Sequence, residues 1–378
     1  MYDHSDQFPL SPDIVYLNHA AVAPWPRRTA DAVRRFADEN LTHGAQHYPK
    51  WLEVEQRLRA RLARLINADS PADIALLKNT SEGLSLVAHG LPWRQGDSIV
   101  GIHADFPSNR VAWESLHRYG VEFRGVDINA AANPEDALIA ACDRHTRLLA
   151  VSSVHYATGL RLDLERLGAH CRSRGILFCV DAIQSLGAIP FDVQAVGADF
   201  VAADGHKWLL GPEGLAVFYC RPAVRERLDL HQFGWHMLAH PGDFERPDWQ
   251  PSTTATRFEC GSPNMLGIHA LEASVSLLED IGSDEIHRKV LEITGILTDK
   301  LAELPGVQCL SPTRPERRSG IVTIRPRHLP AAECHARLMA QGVICAARGG
   351  GVRFSPHFYT PATAVARAVD LLQSLDIG

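Results

Sequence analysis

Between residues 74 and 220, short apolar runs alternate with amphipathic stretches. The runs Ile74–Leu77, Ser98–His103, Val121–Val126, Leu148–Val154, Ile176–Val180, Phe200–Ala203 and Leu215–Tyr219 predict strands. Spacers such as Leu162–Ser173, apolar at Leu164, Leu167 and Cys171, predict helices. This alternation predicts an α/β fold, a mostly parallel sheet with helices on both faces. Ligands of such sheets bind beyond the carboxyl ends of the strands. Asp181, Lys207, His103 and His155 fall at or just past such ends.

The pattern changes after residue 221. Residues 222–256 lack periodicity and carry Pro241, Pro247 and Pro251, which predicts a lid or an interface segment. A helical pattern runs from Leu266 to about Leu304. Ile321–Ile324 and Val343–Ala346 read as strands, and Pro361–Leu375 as a closing helix. Together they predict a smaller α+β unit, with the Pro-rich first thirty residues lying against it. The expected organisation is a segment over 1–25, a large domain over 26–255 and a small domain over 256–378.

Composition removes several function classes. The 378 residues carry 46% apolar and 22% charged positions, as in an ordinary globular protein. A net charge of −6 offers no basic stripe for nucleic acid. No apolar run is long enough to span a membrane. Met1–Leu10 is polar and lacks the apolar core of a signal peptide, so a cytoplasmic location is expected. The eight cysteines show no metal or CxxC spacing, and several lie in apolar runs, as in Phe178-Cys179-Val180. No HExxH or paired Cys/His arrangement occurs, so no metal is assigned.

The chemistry centres on Asp204-Gly205-His206-Lys207-Trp208, which follows an apolar strand and precedes Leu210-Gly211-Pro212-Glu213-Gly214. A second apolar run, Ile176–Val180, ends at Asp181. A lysine and a carboxylate at adjoining strand ends form the pair that holds pyridoxal phosphate. The lysine makes the Schiff base and the aspartate faces the pyridinium nitrogen. Taken alone, Lys207 reads as a solvated loop lysine and Asp181 as a helix cap, and it is the flanking motifs that turn the reading toward the cofactor. Gln184 lies one turn past Asp181, within reach of the cofactor's phenolic oxygen. Lys78-Asn79-Thr80-Ser81-Glu82-Gly83 opens a helix, either as an anion site or as a capping box. Phe106, after His103, is a ring for stacking or a core residue. Gly349-Gly350-Gly351 reads as a flexible approach to Arg353, which is a carboxylate clamp or a surface ion pair.

Taken in order, these segments resemble the class V aminotransferase family of fold type I pyridoxal-phosphate enzymes. Cysteine desulfurases, C–S lyases, kynureninases and isopenicillin N epimerase-like proteins belong to it. The resemblance covers nearly the whole chain. It rests on Tyr16-Leu17-Asn18-His19-Ala20-Ala21, Asn79-Thr80-Ser81-Glu82, Asp105-Phe106-Pro107-Ser108-Asn109, Thr158-Gly159, Val180-Asp181-Ala182-Ile183-Gln184, Gly205-His206-Lys207-Trp208, Arg257-Phe258-Glu259-Cys260-Gly261-Ser262-Pro263 and Val352-Arg353-Phe354-Ser355-Pro356-His357. It implies that Lys207 carries the cofactor and that Asp181 and Gln184 contact its ring. Thr80, Ser81 and His206 would hold the phosphate, and Phe106 would stack on the ring. Ser262 would reach the cofactor of a second subunit in a homodimer with composite sites. Asn18 and Arg353 would bind the carboxylate of an amino-acid substrate.

Three positions depart from the desulfurase pattern. Asp204 stands where desulfurases carry a serine, and Tyr156 where they carry an asparagine. Their nucleophilic cysteine sits on a loop between the arginines matching Arg348 and Arg353, and here that loop shrinks to Gly349-Gly350-Gly351-Val352. The resemblance therefore implies chemistry at the α-carbon of an amino acid through an external aldimine, with β-elimination of the C–S lyase kind expected first. Transamination or epimerisation is the alternative. A non-catalytic cofactor-binding regulator would need an appended partner domain, for which 378 residues leave no room.

Overall fold

The computed structural model describes residues 4–375. Residues 1–3 and 376–378 of the expected terminal segments lie outside the described residues. In chain order the strands are β1 (Val15–Tyr16), β2 (Ile74–Leu77), β3 (Ser98–Ile102), β4 (Glu122–Val126), β5 (Thr146–Ser152), β6 (Leu177–Asp181), β7 (Phe200–Asp204), β8 (Ala216–Cys220), β9 (Val307–Cys309), β10 (Val322–Pro326), β11 (Val343–Ile344), β12 (Ala346–Arg348) and β13 (Gly351–Phe354). All seven strands expected between residues 74 and 220 are present, each within two residues of its expected bounds.

Those seven form one sheet in the order β2-β8-β7-β6-β5-β3-β4. β4, β3, β5, β6 and β7 run parallel, and β8 is antiparallel to both its neighbours. Strands of this composition are wanted on both faces, because alternate side chains feed two separate cores. Leu149, Val151, Phe178, Val180 and Val201 pack into one core, with Leu58, Leu62 and Leu271 from helices. Leu148, Ala150, Leu177, Cys179 and Ala202 pack into the other, with Leu84, Val87 and Trp113. The sheet is thus a sandwich filling between helices Tyr48–Leu65 and Met265–Ile281 on one side and Thr80–Gly90 and Pro107–Glu114 on the other.

Short polar residues start the helices as their chemistry requires. Asn79, Asp163 and Asn264 each accept a hydrogen bond from a backbone N–H of the first turn. The expected helix over 266–304 is broken by Gly282 at φ +89° into Met265–Ile281 and Ser283–Ala302. Helix Arg27–His43 and helix Tyr48–Leu65 were not among the expected elements; the second packs heavily on Met265–Ile281.

The carboxyl-terminal part adds a four-stranded antiparallel sheet, β12-β13-β10-β9. β1 pairs in parallel with β11 through Val15↔Val343, and Asn18 bridges to Ser355. Val15 and Leu17 share a core with Val322, Val352, Phe354 and Val365. The segment after β1 then crosses to the large sheet, where Ala23 N–H donates to the His206 carbonyl at 2.8 Å.

Two of the sequence readings change here. Val343–Ala346 is not one strand but all of β11 and the first residue of β12, joined through buried Cys345. Gly349-Gly350 is not a flexible approach. Arg348 pairs with Gly351, so the two glycines form a two-residue hairpin loop. Their φ values of +59° and +71° are those of a type I′ turn, which matches the twist of the flanking strands.

Candidate active site

Lys207 lies three residues past the end of β7 and is only 8% exposed. The loop that carries it is closed by its own backbone: Gly211 N–H donates to the Gly205 carbonyl and Leu210 N–H to the Lys207 carbonyl. Leu210 is fully buried at φ +60°, a strained conformation for a branched residue that only firm surroundings sustain. Gly187, at φ +95°, lets the chain pass over the Trp208 carbonyl; a Cβ there would sit 2.1 Å from that oxygen. Below, Trp208 Nε1 donates to Gln184 Oε1 at 2.8 Å, and His357 Nε2 lies 3.2 Å from the Trp208 carbonyl. Phe358 N–H donates to His357 Nδ1, which leaves Nε2 as the protonated donor.

Burial lowers the Lys207 amine to about 8; Asp181 opposes the shift, while Arg353 and Arg348 add to it. Asp181, the last residue of β6, is 3% exposed and accepts from Ile183 N–H at 3.0 Å. Burial raises its carboxyl to about 7, and buried Asp105 pushes in the same direction. A cation placed against Asp181 would reverse that shift.

The Phe106 ring lies beside the lysine, with Lys207 Nζ 5.5 Å from its centroid. Phe106 is 38% exposed, so the core reading does not hold. Its ring meets Tyr156 edge-on at 5.4 Å. Asp105 fixes the backbone beneath it by accepting from Phe106 N–H, Asn109 Nδ2 and the Ser152 hydroxyl. This explains the motif Asp105-Phe106-Pro107-Ser108-Asn109, whose polar members orient the ring.

Thr80 and Ser81 form the first turn of helix Thr80–Gly90. The capping reading is realised, since Asn79 Oδ1 accepts from Glu82 N–H and Glu82 Oε2 from Lys78 N–H. It leaves the side chains of Thr80 and Ser81 on the sheet side and the solvent side respectively. Thr80 Oγ1 accepts from Asp204 N–H at 2.9 Å, and Ser81 donates to Ser108. His206 Nδ1 lies 3.0 Å from Asp204 Oδ1, but the angles make no hydrogen bond, and both atoms are buried without one.

Gln184 is committed to the protein. Its oxygen accepts from Trp208, and its nitrogen donates to the Ala20 carbonyl at 3.0 Å, a pairing that also fixes the amide's orientation. One amide hydrogen is left for a ligand. Arg353, in β13, is 2% exposed, and its Nη1 donates to the Tyr156 carbonyl at 2.7 Å. Its Nε is buried with no partner, as is Asn18 Oδ1. Ser262 is exposed, ahead of helix Met265–Ile281, with no side-chain hydrogen bond among the described residues. Its segment is anchored by Glu259, which receives Arg59 in two hydrogen bonds and Leu76 N–H at 2.8 Å. A separate cleft of about 440 Å³, lined by Glu82, His89, Arg118 and Arg257 among others, contains none of the site side chains named above.

The family model for aminotransferase class V matches residues 15–367. The chain belongs to the class V aminotransferase family. Its relatives include a probable cysteine desulfurase of Methanothermobacter thermautotrophicus, 30% identical over 97% of this chain and 96% of that protein. Isopenicillin N epimerase of Streptomyces clavuligerus is also 30% identical, over 97% and 96%. Among solved structures, the apo cysteine desulfurase from Thermococcus onnurineus NA1 has a TM-score of 0.88 at 25% identity, covering 98% of this chain and 96% of that one. A cystine C–S lyase in complex with cysteine persulfide shares the fold, with a TM-score of 0.89 at 24% identity over 97% and 99%. This class V chain is a pyridoxal-phosphate-dependent enzyme.

The residues present fit that cofactor. Buried polar atoms without partners are costly unless a ligand meets them. Here three of them, His206 Nδ1, Arg353 Nε and Asn18 Oδ1, belong to residues of the motifs that surround Lys207. A lysine already shifted toward its neutral form and a carboxylate that lacks a cation complete the set.

Proposed function

We propose that this class V enzyme is a lyase that removes a β-substituent, bound through sulfur, from an amino acid. The observation that carries this reading is the Gly349-Gly350 turn. Where desulfurases hold a loop with an acceptor cysteine, this chain has a two-residue hairpin. Cys345 beside it is buried, and burial pushes its thiol up to about 12, so it is no nucleophile. Among the described residues, the turn and its two strands from Ala346 to Phe354 then offer no thiol to receive sulfur set free from a substrate.

When bound, pyridoxal phosphate supplies an electron sink for charge developing at the substrate's α-carbon. The chain's own residues do the rest. Asp181 would face the ring nitrogen and keep it charged, while Phe106 would cover one ring face. Thr80, Ser81, His206 and the N–H groups of the first helical turn hold the phosphate. Gln184 offers its remaining amide hydrogen to the ring oxygen. Arg353 and Asn18 fix the substrate carboxylate. Lys207, whose amine is held near 8, would take the α-proton, and a β-substituent would then depart with its bonding electrons.

The proposal extends to a homodimer in which Ser262 of one subunit reaches the other's cofactor. It is supported by the exposed Ser262 and by the exposed rings of Phe233, Phe244 and Trp249 in the Pro-rich segment. Eight free cysteines fit a reducing, cytoplasmic setting. No described helix is long and apolar enough to cross a membrane.

The test is to incubate the loaded protein with an amino-acid panel and to follow products. A keto acid with ammonia and a released thiol or sulfide is expected. A keto acid formed without ammonia would establish transamination, and racemised substrate alone would establish epimerisation; either would replace the lyase reading.

A further inference from the structure

The small sheet presents a row of arginines that no acidic side chain among the described residues pairs with. β10 pairs Thr323 with Arg353, and β12 pairs Ala346 with Arg353 and Arg348 with Gly351. Side chains two residues apart on a strand share a face. Thr323 and Arg325 on β10, Ala346 and Arg348 on β12, and Arg353 on β13 therefore project from the same face. That face covers the loop at the end of β5. The Thr323 hydroxyl donates to the Ala157 carbonyl at 2.6 Å, and a Cβ on Gly349 would lie 2.9 Å from Ala157 Cβ.

Arg353 is buried there with Nε unpartnered. Arg348 is exposed at the hairpin turn, and among the described residues its side chain donates only to its neighbour's carbonyl, Ala347 O, at 2.9 Å. Arg325 donates from Nε to the Gly350 carbonyl of the same turn at 3.3 Å. Among the described residues no carboxylate oxygen lies within 4.0 Å of any of the three. Of the two carboxylates that act on the lysine, Asp181 accepts from Ile183 N–H and Asp204 lies 3.0 Å from His206 Nδ1. Arg348 is close enough to weigh on both Arg353 and Lys207, lowering each.

One substrate carboxylate satisfies one guanidinium. A second arginine on the same face, tied down by no acidic partner and pressing on the first, calls for a second anion. We propose that the substrate is an amino acid with a second carboxylate, which Arg348 binds, with Arg325 behind it, while Arg353 takes the α-carboxylate. The inference rests on the assignment of Arg353 above and narrows it to a dicarboxylic substrate class.

Three matched pairs test it: L-aspartate with L-asparagine, L-glutamate with L-glutamine, and S-carboxymethyl-L-cysteine with S-carbamoylmethyl-L-cysteine. Each pair has one shape and differs by one charge. The readout is the concentration that half-saturates the absorbance change of the cofactor-loaded enzyme. For at least one pair the acid is expected to bind about tenfold more tightly than its amide, the scale of one charge-assisted contact. Arg348→Gln should reduce that preference to about threefold or less, whereas Arg353→Gln should weaken acid and amide alike. No preference in any pair overturns the proposal, and so does a preference that survives both Arg348→Gln and Arg325→Gln. If acids and amides bind equally but still change the spectrum, only this inference falls. If no amino acid changes the spectrum, the proposed function falls with it.

Discussion

Lys207 Nζ lies 5.5 Å from the centroid of the Phe106 ring, and the two residues reach this distance from strands on different sides of β6. Lys207 follows β7, while Phe106 follows β3, with β5 and β6 between them. The crevice they enclose is the point where the carboxyl ends of five parallel strands open toward the small sheet. Asp181 at the end of β6 stands between them in the strand order.

Lys207→Ala should fold and lose turnover by several orders of magnitude, because both the cofactor link and the base are removed. Borohydride reduction followed by mass measurement checks this. The wild type should gain the mass of the reduced cofactor and the variant should not. A borohydride-fixed cofactor in the variant would place the link on another lysine.

The buried charges should shape the stability of the cofactor-free protein. Asp181 is raised from 3.8 to about 7, so between those values the folded chain holds a proton that the unfolded chain has lost. Its contribution to stability therefore falls as pH rises from about 4 to about 7. Lys207 is lowered from 10.5 to about 8, so there the unfolded chain holds the extra proton, and stability from this group rises between about 8 and about 10.5. Urea unfolding of Asp181→Asn beside wild type isolates the first effect. Relative to wild type, the variant should gain up to about 2 kcal/mol between pH 5 and pH 7. A constant difference across that window would mean that Asp181 is ionised in the folded chain throughout.

Arg353→Ala should weaken amino-acid binding by about 2–5 kcal/mol, the range for removing one partner of a desolvated charge pair. It also strips the Tyr156 carbonyl of its 2.7 Å donor. Arg353→Lys separates the two effects, because a lysine restores charge but not the fork. Cofactor occupancy, read from absorbance, should stay near wild type in both. An unchanged Michaelis constant for every substrate would remove the clamp.

The Gly349-Gly350 turn should tolerate substitution unequally. Both residues have positive φ, which costs an L-residue about 1–2 kcal/mol. At Gly350 the nearest obstacle to a Cβ is a flexible arginine end at 3.4 Å, so Gly350→Ala should lose only that amount. At Gly349 a Cβ meets Ala157 Cβ at 2.9 Å, and Gly349→Ala should cost about 1–3 kcal/mol more. Chemical denaturation of the two variants checks the order. Equal losses would mean that the turn does not press on the residue 155–158 loop.

Much of this was legible in the sequence because the physics was local. Buried parallel strands leave unbroken apolar runs, so all seven strands of the large sheet could be read directly. Lys207 and Asp181 stood out because each ends such a run. Gln184 was legible as a nearby side chain, but its two hydrogen bonds, to Trp208 and Ala20, depend on a tertiary contact with the N-terminal segment. The turn at Gly349-Gly350 was misread as flexible because three successive glycines carry no pattern, and only the pairing of Arg348 with Gly351 fixes its geometry. The arginine face escaped for the same reason. Arg325 and Arg348 are separated by a helix and a strand, and their common face appears only once β10, β12 and β13 are in register.

The composite dimer site can be tested by complementation. Ser262 is exposed on its own chain, and its segment is held rigidly by the Arg59–Glu259 pair, a geometry suited to presenting a side chain outward. Arg257, just upstream, keeps a buried Nε without a partner. In a mixed dimer, one protomer would carry Lys207→Ala and the other Ser262→Ala with Arg257→Ala. One of its two sites would then join an intact lysine to an intact donated segment, while the other would hold both defects. Activity should therefore rise on mixing, toward half the wild-type value per heterodimer, although each parent alone is impaired. Native mass measurement confirms that the subunits have exchanged. Exchanged heterodimers without recovery, or a fully active monomer, would return Ser262 to a surface role in its own chain.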